Sequence, residues 1–221
     1  MKGYIDYIIE ESIRQYDAKD FIPQVVGRIG AISAEEYEEL SDKGYSLNDT
    51  TGKWGIESAM ESVLRGQNGV RSIIRDSSGM VVSDDISKQA IAGNSVKLTI
   101  DSEFQNDVQA ILENHIKWLH YNNDPNRGNK VDAGGVVVLD AKTGAVLAMA
   151  NYPNYDINNY IDLINNPVDP NPTYNRCIYG LYRPGSAVKT ITATASLVSG
   201  LANENTEVYC GGIYTYYSDY Q

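Results

Sequence analysis

Gly135-Val136-Val137-Val138-Leu139-Asp140 and Ala145-Val146-Leu147-Ala148-Met149-Ala150 flank a short segment, Ala141-Lys142-Thr143-Gly144. Two brief apolar runs around a glycine-bearing turn spell a β-hairpin. The runs are apolar at nearly every position rather than at alternate ones, so the hairpin is expected inside a sheet covered on both faces. Upstream, Val96-Lys97-Leu98-Thr99-Ile100 alternates as a strand does. Asp101 or Ser102 then caps a long helix, and Phe104, Val108, Ile111, Leu112 and Leu119 form its expected buried stripe. From Tyr121 to Lys130 a loop rich in Asn, Asp, Pro and Gly breaks the pattern. Downstream, the Pro- and Asn-rich stretch Pro153 to Asn175 leads to Arg183-Pro184-Gly185-Ser186-Ala187-Val188-Lys189. These residues open an apolar helix that runs to about Ser199 and stops at Gly200.

The first third has a different texture. Ile5, Ile8, Ile9 and Ile13 fall on one face of a helix if Tyr4 to Tyr16 is helical, which the spacing predicts. Gln24 to Gly30 reads as a short strand running into a turn. Ser33 followed by Glu36 fits a capping box and Gly44 after Lys43 fits a helix stop, so Ala34 to Lys43 is predicted helical. A second short helix spans about Gly55 to Leu64. Gly69 to Arg75 and Met80 to Asp84 are predicted strands around the turn Asp76-Ser77-Ser78-Gly79. The segment is polar and turn-rich, in keeping with an elongated β-rich module.

Composition narrows the chemistry. With 18 basic and 29 acidic residues the net charge is -11, which argues against a nucleic-acid partner. Seventeen tyrosines against two phenylalanines suit a wetted groove that binds polymer. Cys177 and Cys210 do not make a disulfide framework, and no Cys/His cluster has metal-ligand spacing. His115 and His120 share one predicted helix and read as surface or boundary residues. No signal peptide is present, nor an apolar run long enough to span a membrane.

Ser186 and Lys189 form an S-x-x-K pattern. Residues i and i+3 share a helix face, so hydroxyl and amine come within hydrogen-bond reach. Pro184-Gly185 ahead of them permits a close approach. The helix N-terminus carries partial positive charge, and that charge together with burial favours a neutral lysine. A neutral amine can accept the serine proton, which makes a nucleophile and its base from two residues. The tetrapeptide alone is also what a plain serine N-cap looks like. Context separates the two readings: the pair sits between an apolar hairpin and an apolar helix, where a first-turn lysine has no structural merit.

The order of motifs resembles that of a class B penicillin-binding protein, the monofunctional D,D-transpeptidase of peptidoglycan synthesis. The matching pieces begin with Gly44-Tyr45, Gly52-Lys53-Trp54-Gly55-Ile56-Glu57 and Leu64-Arg65-Gly66 with Gly69. Leu98-Thr99-Ile100-Asp101 with Gln105 and Val138-Leu139-Asp140 through Gly144 to Leu147-Ala148-Met149 come next. Asn151-Tyr152-Pro153-Asn154-Tyr155-Asp156 with Asn158, then Asn175-Arg176, then Pro184-Gly185-Ser186 with Lys189 complete a run from about Gly27 to Gly200.

The resemblance implies an α+β fold: a β-rich pedestal-type module, then the first part of a transpeptidase domain with a mixed sheet covered by helices. Residues 1–92 would be the C-terminal part of the pedestal (dimerisation-type) module. Residues 93–221 would be the N-terminal part of the transpeptidase domain. Ser186 would attack the penultimate D-Ala carbonyl of a stem peptide, Lys189 would be its base, and penicillin would acylate the same serine. No metal or organic cofactor is implied. Stem peptides ending in D-Ala-D-Ala, β-lactams and membrane proteins of cell-wall synthesis are the implied partners. The implied location is the extracytoplasmic face of the bacterial membrane, through an anchor upstream of Met1.

The family carries Thr and then Phe or Met between serine and lysine, where this chain has Ala187 and Val188. Its K-T-G triplet lies on a strand far downstream of the serine, so Lys142-Thr143-Gly144 is expected to be only a hairpin turn. Ser46-Leu47-Asn48, which spells S-x-N, likewise precedes the serine by a whole domain. No S-x-N or K-T-G follows Lys189 before Gln221, so the 221-residue chain is expected to be poorly active or inactive alone. Two other readings are a β-lactam sensor acylated at Ser186 and a non-catalytic scaffold of the cell-wall machinery. A pedestal speaks against the sensor, and the Ser186–Lys189 pair speaks against the scaffold.

Overall fold

The computed structural model describes residues 4–10, 13–16, 22–122 and 131–212. The chain falls into two compact units, Met1–Gly180 and Leu181–Gln221.

In the first unit β1 (Tyr4–Glu10) is a strand, where the isoleucine spacing predicted a helix. It pairs antiparallel with β4 (Gly69–Arg75) from Tyr4↔Arg75 to Glu10↔Gly69. β4 pairs in turn with β5 (Val81–Lys88), giving a three-stranded sheet in the order β1-β4-β5. Ile and Tyr are strand formers, and seven consecutive cross-strand partners outweigh a helical coincidence of four isoleucines. Among the described residues, those of the loop predicted at Tyr121–Lys130 are Tyr121 and Asn122; positions 123–130 lie outside them.

The stretch predicted as a strand at Gln24–Gly30 divides. Pro23 opens a one-turn helix, α1 (Pro23–Val26), as a first-turn proline does, and β2 (Arg28–Ala31) follows. Gly27 makes the corner at φ 82°; a Cβ there would meet the Trp54 carbonyl oxygen at 1.8 Å, so only glycine fits. The capping box at α2 (Ala34–Leu40) is present: Ser33 Oγ accepts from the Glu36 N–H, and Glu36 accepts from the Ser33 N–H. A 3₁₀ turn, Ser41–Lys43, extends it to the left-handed Gly44. β3 (Thr50–Trp54) pairs with β2, and the predicted Gly55–Leu64 helix is two pieces, α3 (Gly55–Ala59) and α4 (Glu61–Leu64).

Val96–Ile100, predicted as a strand, joins no ladder. Thr99 Oγ1 donates to the Val146 carbonyl at 2.6 Å and the Asp101 N–H to the Leu147 carbonyl at 3.2 Å, so the segment meets the hairpin edge only at its end. Asp101 caps α5 (Ser102–Tyr121), its carboxylate accepting from the Phe104 N–H. The buried stripe is Gln105, Val108, Leu112 and Ile116; Phe104 and Ile111 are exposed, contrary to prediction. Register against the hairpin decides this, because Gln105 has work at the strand edge that Phe104 could not do.

The hairpin forms as predicted, β6 (Gly134–Leu139) against β7 (Val146–Tyr152). Ala148 and Ala150 are fully buried under Val108, Leu112 and Ile116, with Val136 and Val138 packed alongside. Each buried aliphatic side chain contributes about 1.5–3 kcal/mol, and the two alanines let the helix approach closely. The other face is not covered as expected: Val137 and Leu139 are exposed among the described residues. Beyond β7 come a 3₁₀ turn (Ile157–Asn159), α6 (Tyr160–Asn165) and α7 (Arg176–Tyr179).

Candidate active site

In the second unit Gly185, at φ 55°, sets the entry that lets Pro184 accept from the Ala187 N–H at 3.2 Å. The segment Gly185–Val188 is a 3₁₀ turn, and the Lys189 N–H donates to the Ser186 carbonyl. Residues i and i+3 eclipse in a 3₁₀ turn; Ser186 lies within this one and Lys189 is its C-cap. Lys189 is the first residue of α8 (Lys189–Val198), which ends through Ser199 at the left-handed Gly200. The start expected to be α-helical at Ser186 is thus a 3₁₀ turn, and the α-helix begins at Lys189.

The hydroxyls of α8 turn back to their own backbone. Thr190, Thr194 and Ser196 donate to the carbonyls of Ala187, Thr190 and Thr192 at 3.2, 2.8 and 2.9 Å. Nothing in α8 is buried, and Ser186 and Lys189 are exposed, so the cover expected around the pair is not supplied by the described residues.

Residues of the first unit resolve the other motif pieces into structure. Asn151, almost fully buried, accepts from the Arg176 N–H at 2.7 Å and donates to Asn175 Oδ1 at 3.4 Å. Asn175 in turn caps α7 and donates to the Gln24 carbonyl at 3.1 Å, while the Gln24 amide reaches Asn154 at 2.9 Å and the Pro172 carbonyl at 3.0 Å. These amides tie α1, β7 and α7 together through satisfied buried hydrogen bonds. Sequence reasoning singled out Asn151, Asn154, Asn175 and Gln105 as motif residues but missed Gln24 and Gln109, which carry no local signal.

The carboxylates of Glu57 and Glu61 are a structural pair, not an acid and base. Arg14 bridges both, Tyr45 Oη donates to Glu61 at 3.1 Å and so does the Gly52 N–H at 3.0 Å. Lys142-Thr143-Gly144 is a turn as predicted: Asp140 accepts from the Lys142 and Thr143 N–H groups and from the Thr143 hydroxyl, and these bonds, led by the Thr143 N–H, hold its carboxyl below the usual range. Ser46 likewise bonds to Asp49, through its N–H and its hydroxyl. His120 Nδ1 lies 3.2 Å from the Val131 carbonyl oxygen, and His115 stacks on Trp118 at 6.0 Å, so the histidines face different partners. Cys177 and Cys210 are unpaired.

Two family models match the chain. Residues 4–98 match the Penicillin-binding Protein dimerisation domain, and residues 134–221 match the Penicillin binding protein transpeptidase domain. The chain belongs to the class B penicillin-binding proteins. Like other class B penicillin-binding proteins it is α+β. It is 30% identical over 210 residues to the peptidoglycan D,D-transpeptidase MrdA of Escherichia coli, covering 90% of this chain and 30% of that protein. Against penicillin-binding protein 2B of Streptococcus pneumoniae it is 32% identical over 190 residues, covering 83% of this chain and 26% of the relative. The chain thus spans about 30% of the length of the curated relatives it matches. Among solved structures it resembles penicillin-binding protein 2B of Streptococcus pneumoniae, with TM-score 0.59 at 28% identity over 83% of this chain and 29% of the other. It also resembles a chain of a peptidoglycan synthase complex, with TM-score 0.71 at 27% identity over 86% of this chain and 34% of the other.

Proposed function

We propose that the whole protein is a peptidoglycan D,D-transpeptidase in which Ser186 is the nucleophile and Lys189 its base. The observation that carries this reading is the S-x-x-K spacing of Ser186 and Lys189 on the 3₁₀ turn Gly185–Val188 where it runs into α8. Ser186 Oγ attacks the carbonyl carbon of the penultimate D-Ala while its proton passes to Lys189 Nζ. The tetrahedral oxyanion is held by the Ser186 N–H as one of its donors. The C–N bond then breaks, Lys189 returns the proton to the departing D-Ala amine, and an ester remains on Ser186. An amine of a neighbouring stem attacks that ester and restores the serine, leaving a cross-link. Penicillin imitates the D-Ala-D-Ala end and leaves a slowly released acyl group.

The match of residues 4–98 to a dimerisation domain favours the transpeptidase over an acylated sensor. Division of the chain into a pedestal-type module (1–92) and a transpeptidase part (93–221) is supported by the Gln67–Ile91 bridge, the last pairing of the first module. Likeness to a chain of a peptidoglycan synthase complex supports membrane proteins of cell-wall synthesis as partners, and the extracytoplasmic face of the membrane as the location. Among the described residues no helix is long and apolar enough to cross a membrane. The test is release of D-Ala and formation of cross-linked product from a pentapeptide stem. Turnover by the whole protein that is lost in Ser186→Ala supports the reading, and turnover retained in that variant refutes it.

A further inference from the structure

A groove of ≈ 500 Å³ opens in the first unit where residues 24–25 and 54–59 meet residues 160 and 171–179. Its size lies within the roughly 300–1,000 Å³ of small-molecule sites. Four aromatic side chains line it (Trp54, Tyr160, Tyr174 and Tyr179), with the amides of Asn171 and Asn175 among them. No charged side chain lines it, although the chain carries 18 basic and 29 acidic residues. Two of the rings pack on one cation: the Arg28 guanidinium lies 5.0 Å from the Trp54 ring centroid and 4.5 Å from that of Tyr160. Their own centroids are 4.7 Å apart at 42°. Tyr174 is fixed through its hydroxyl, which donates to the Tyr179 carbonyl.

An uncharged lining excludes phosphates and carboxylates as the main recognition element, because either would be desolvated without a partner. Fixed aromatic rings offer flat apolar platforms at little cost in conformational entropy, and an amide with its NH₂ end uncommitted offers donors to a hydroxyl. A pyranose ring presents the complement: an apolar C–H face rimmed by hydroxyls. Asn171 Oδ1 accepts from the Thr173 N–H and hydroxyl, which aims its amide without consuming the donor end. We propose that this groove binds a neutral N-acetylhexosamine oligosaccharide, so that the glycan of the polymer is held away from Ser186. The choice of an N-acetylated sugar rests on the transpeptidase reading; the groove's preference for a neutral saccharide does not.

The probe is tetra-N-acetylchitotetraose, titrated into the 221-residue chain carrying Trp118→Phe, which leaves Trp54 as the sole tryptophan of the two. A saturable change in Trp54 fluorescence is expected, weakened about tenfold or more by Tyr179→Ala and by Asn171→Ala. Tyr179 and Asn171 are exposed, so these variants keep the fold, and circular dichroism checks that they do. No saturable change at millimolar sugar overturns the proposal. So does binding that neither variant weakens, or an equal response to a neutral tetrapeptide. Loss of penicillin labelling at Ser186 with sugar binding retained would refute the transpeptidase reading alone. Labelling retained with no sugar binding would refute this inference alone.

Discussion

Gln105 closes the outer edge of the hairpin at Met149: the Met149 N–H donates to Gln105 Oε1 at 2.7 Å, and Gln105 Nε2 donates to the Met149 carbonyl at 3.2 Å. One turn on, Gln109 repeats the pattern at Asn151, accepting at 3.3 Å and donating at 2.8 Å. Two glutamines at i and i+4 thus act as a substitute strand along alternate residues of β7. Gln105→Leu keeps the volume but leaves two backbone groups unpaired, at roughly 1–3 kcal/mol each. Urea unfolding of the variant should show a loss of about 2 kcal/mol or more. An unchanged midpoint would mean that water serves this edge as well as the amide does.

Lys142 stands in the hairpin turn, exposed, with its backbone N–H donating to Asp140. Lys142→Ala should leave β-lactam acylation of the whole protein within a few-fold of wild type. A loss as large as that from Lys189→Ala would show that the turn triplet takes part in the site.

Burial pushes the Cys177 thiol up, and its sulfur donates to the Ala150 carbonyl at 3.2 Å. Thiolate is the reacting species, so iodoacetamide at neutral pH should modify the exposed Cys210 first and leave Cys177 until the protein unfolds. The raised value also gives a sign. Stability from the protonated thiol is full below its unfolded pKa and is lost as pH rises through the folded one. Mass mapping of partial alkylation tests this, and equal labelling of both cysteines would contradict it.

Much of the fold was legible because it rests on local signals. Ser33 with Glu36, Asp101, the turn at Asp140–Gly144 and Gly200 each mark a boundary through their own backbone chemistry. What failed depended on partners distant in sequence. Tyr4–Glu10 is a strand because Gly69–Arg75 lies beside it, and Val96–Ile100 is not one because the β7 edge is occupied by Gln105 and Gln109. The Ser186–Lys189 spacing was visible in the sequence, but the 3₁₀ turn that carries Ser186 was not. The amide network through Gln24, Asn151 and Asn175 was not, since nothing local distinguishes a buried glutamine from an exposed one.

Lys189 tests whether the S-x-x-K pair is chemical. Lys189→Ala removes the proposed base and should slow acylation by at least roughly 10²-fold, the lower range for loss of a general base. Because Lys189 is exposed and makes no side-chain ion pair among the described residues, thermal stability should be unchanged. Acylation unaltered in this variant would leave Lys189 as an ordinary helix residue.

The most direct test is to label the whole protein with a fluorescent penicillin and to map the modified peptide by mass spectrometry. The account predicts a single adduct, an ester on Ser186 of the Gly185–Val188 turn, and no labelling of Ser186→Ala. Labelling that survives Ser186→Ala, or an adduct mapped to any other serine, would contradict it.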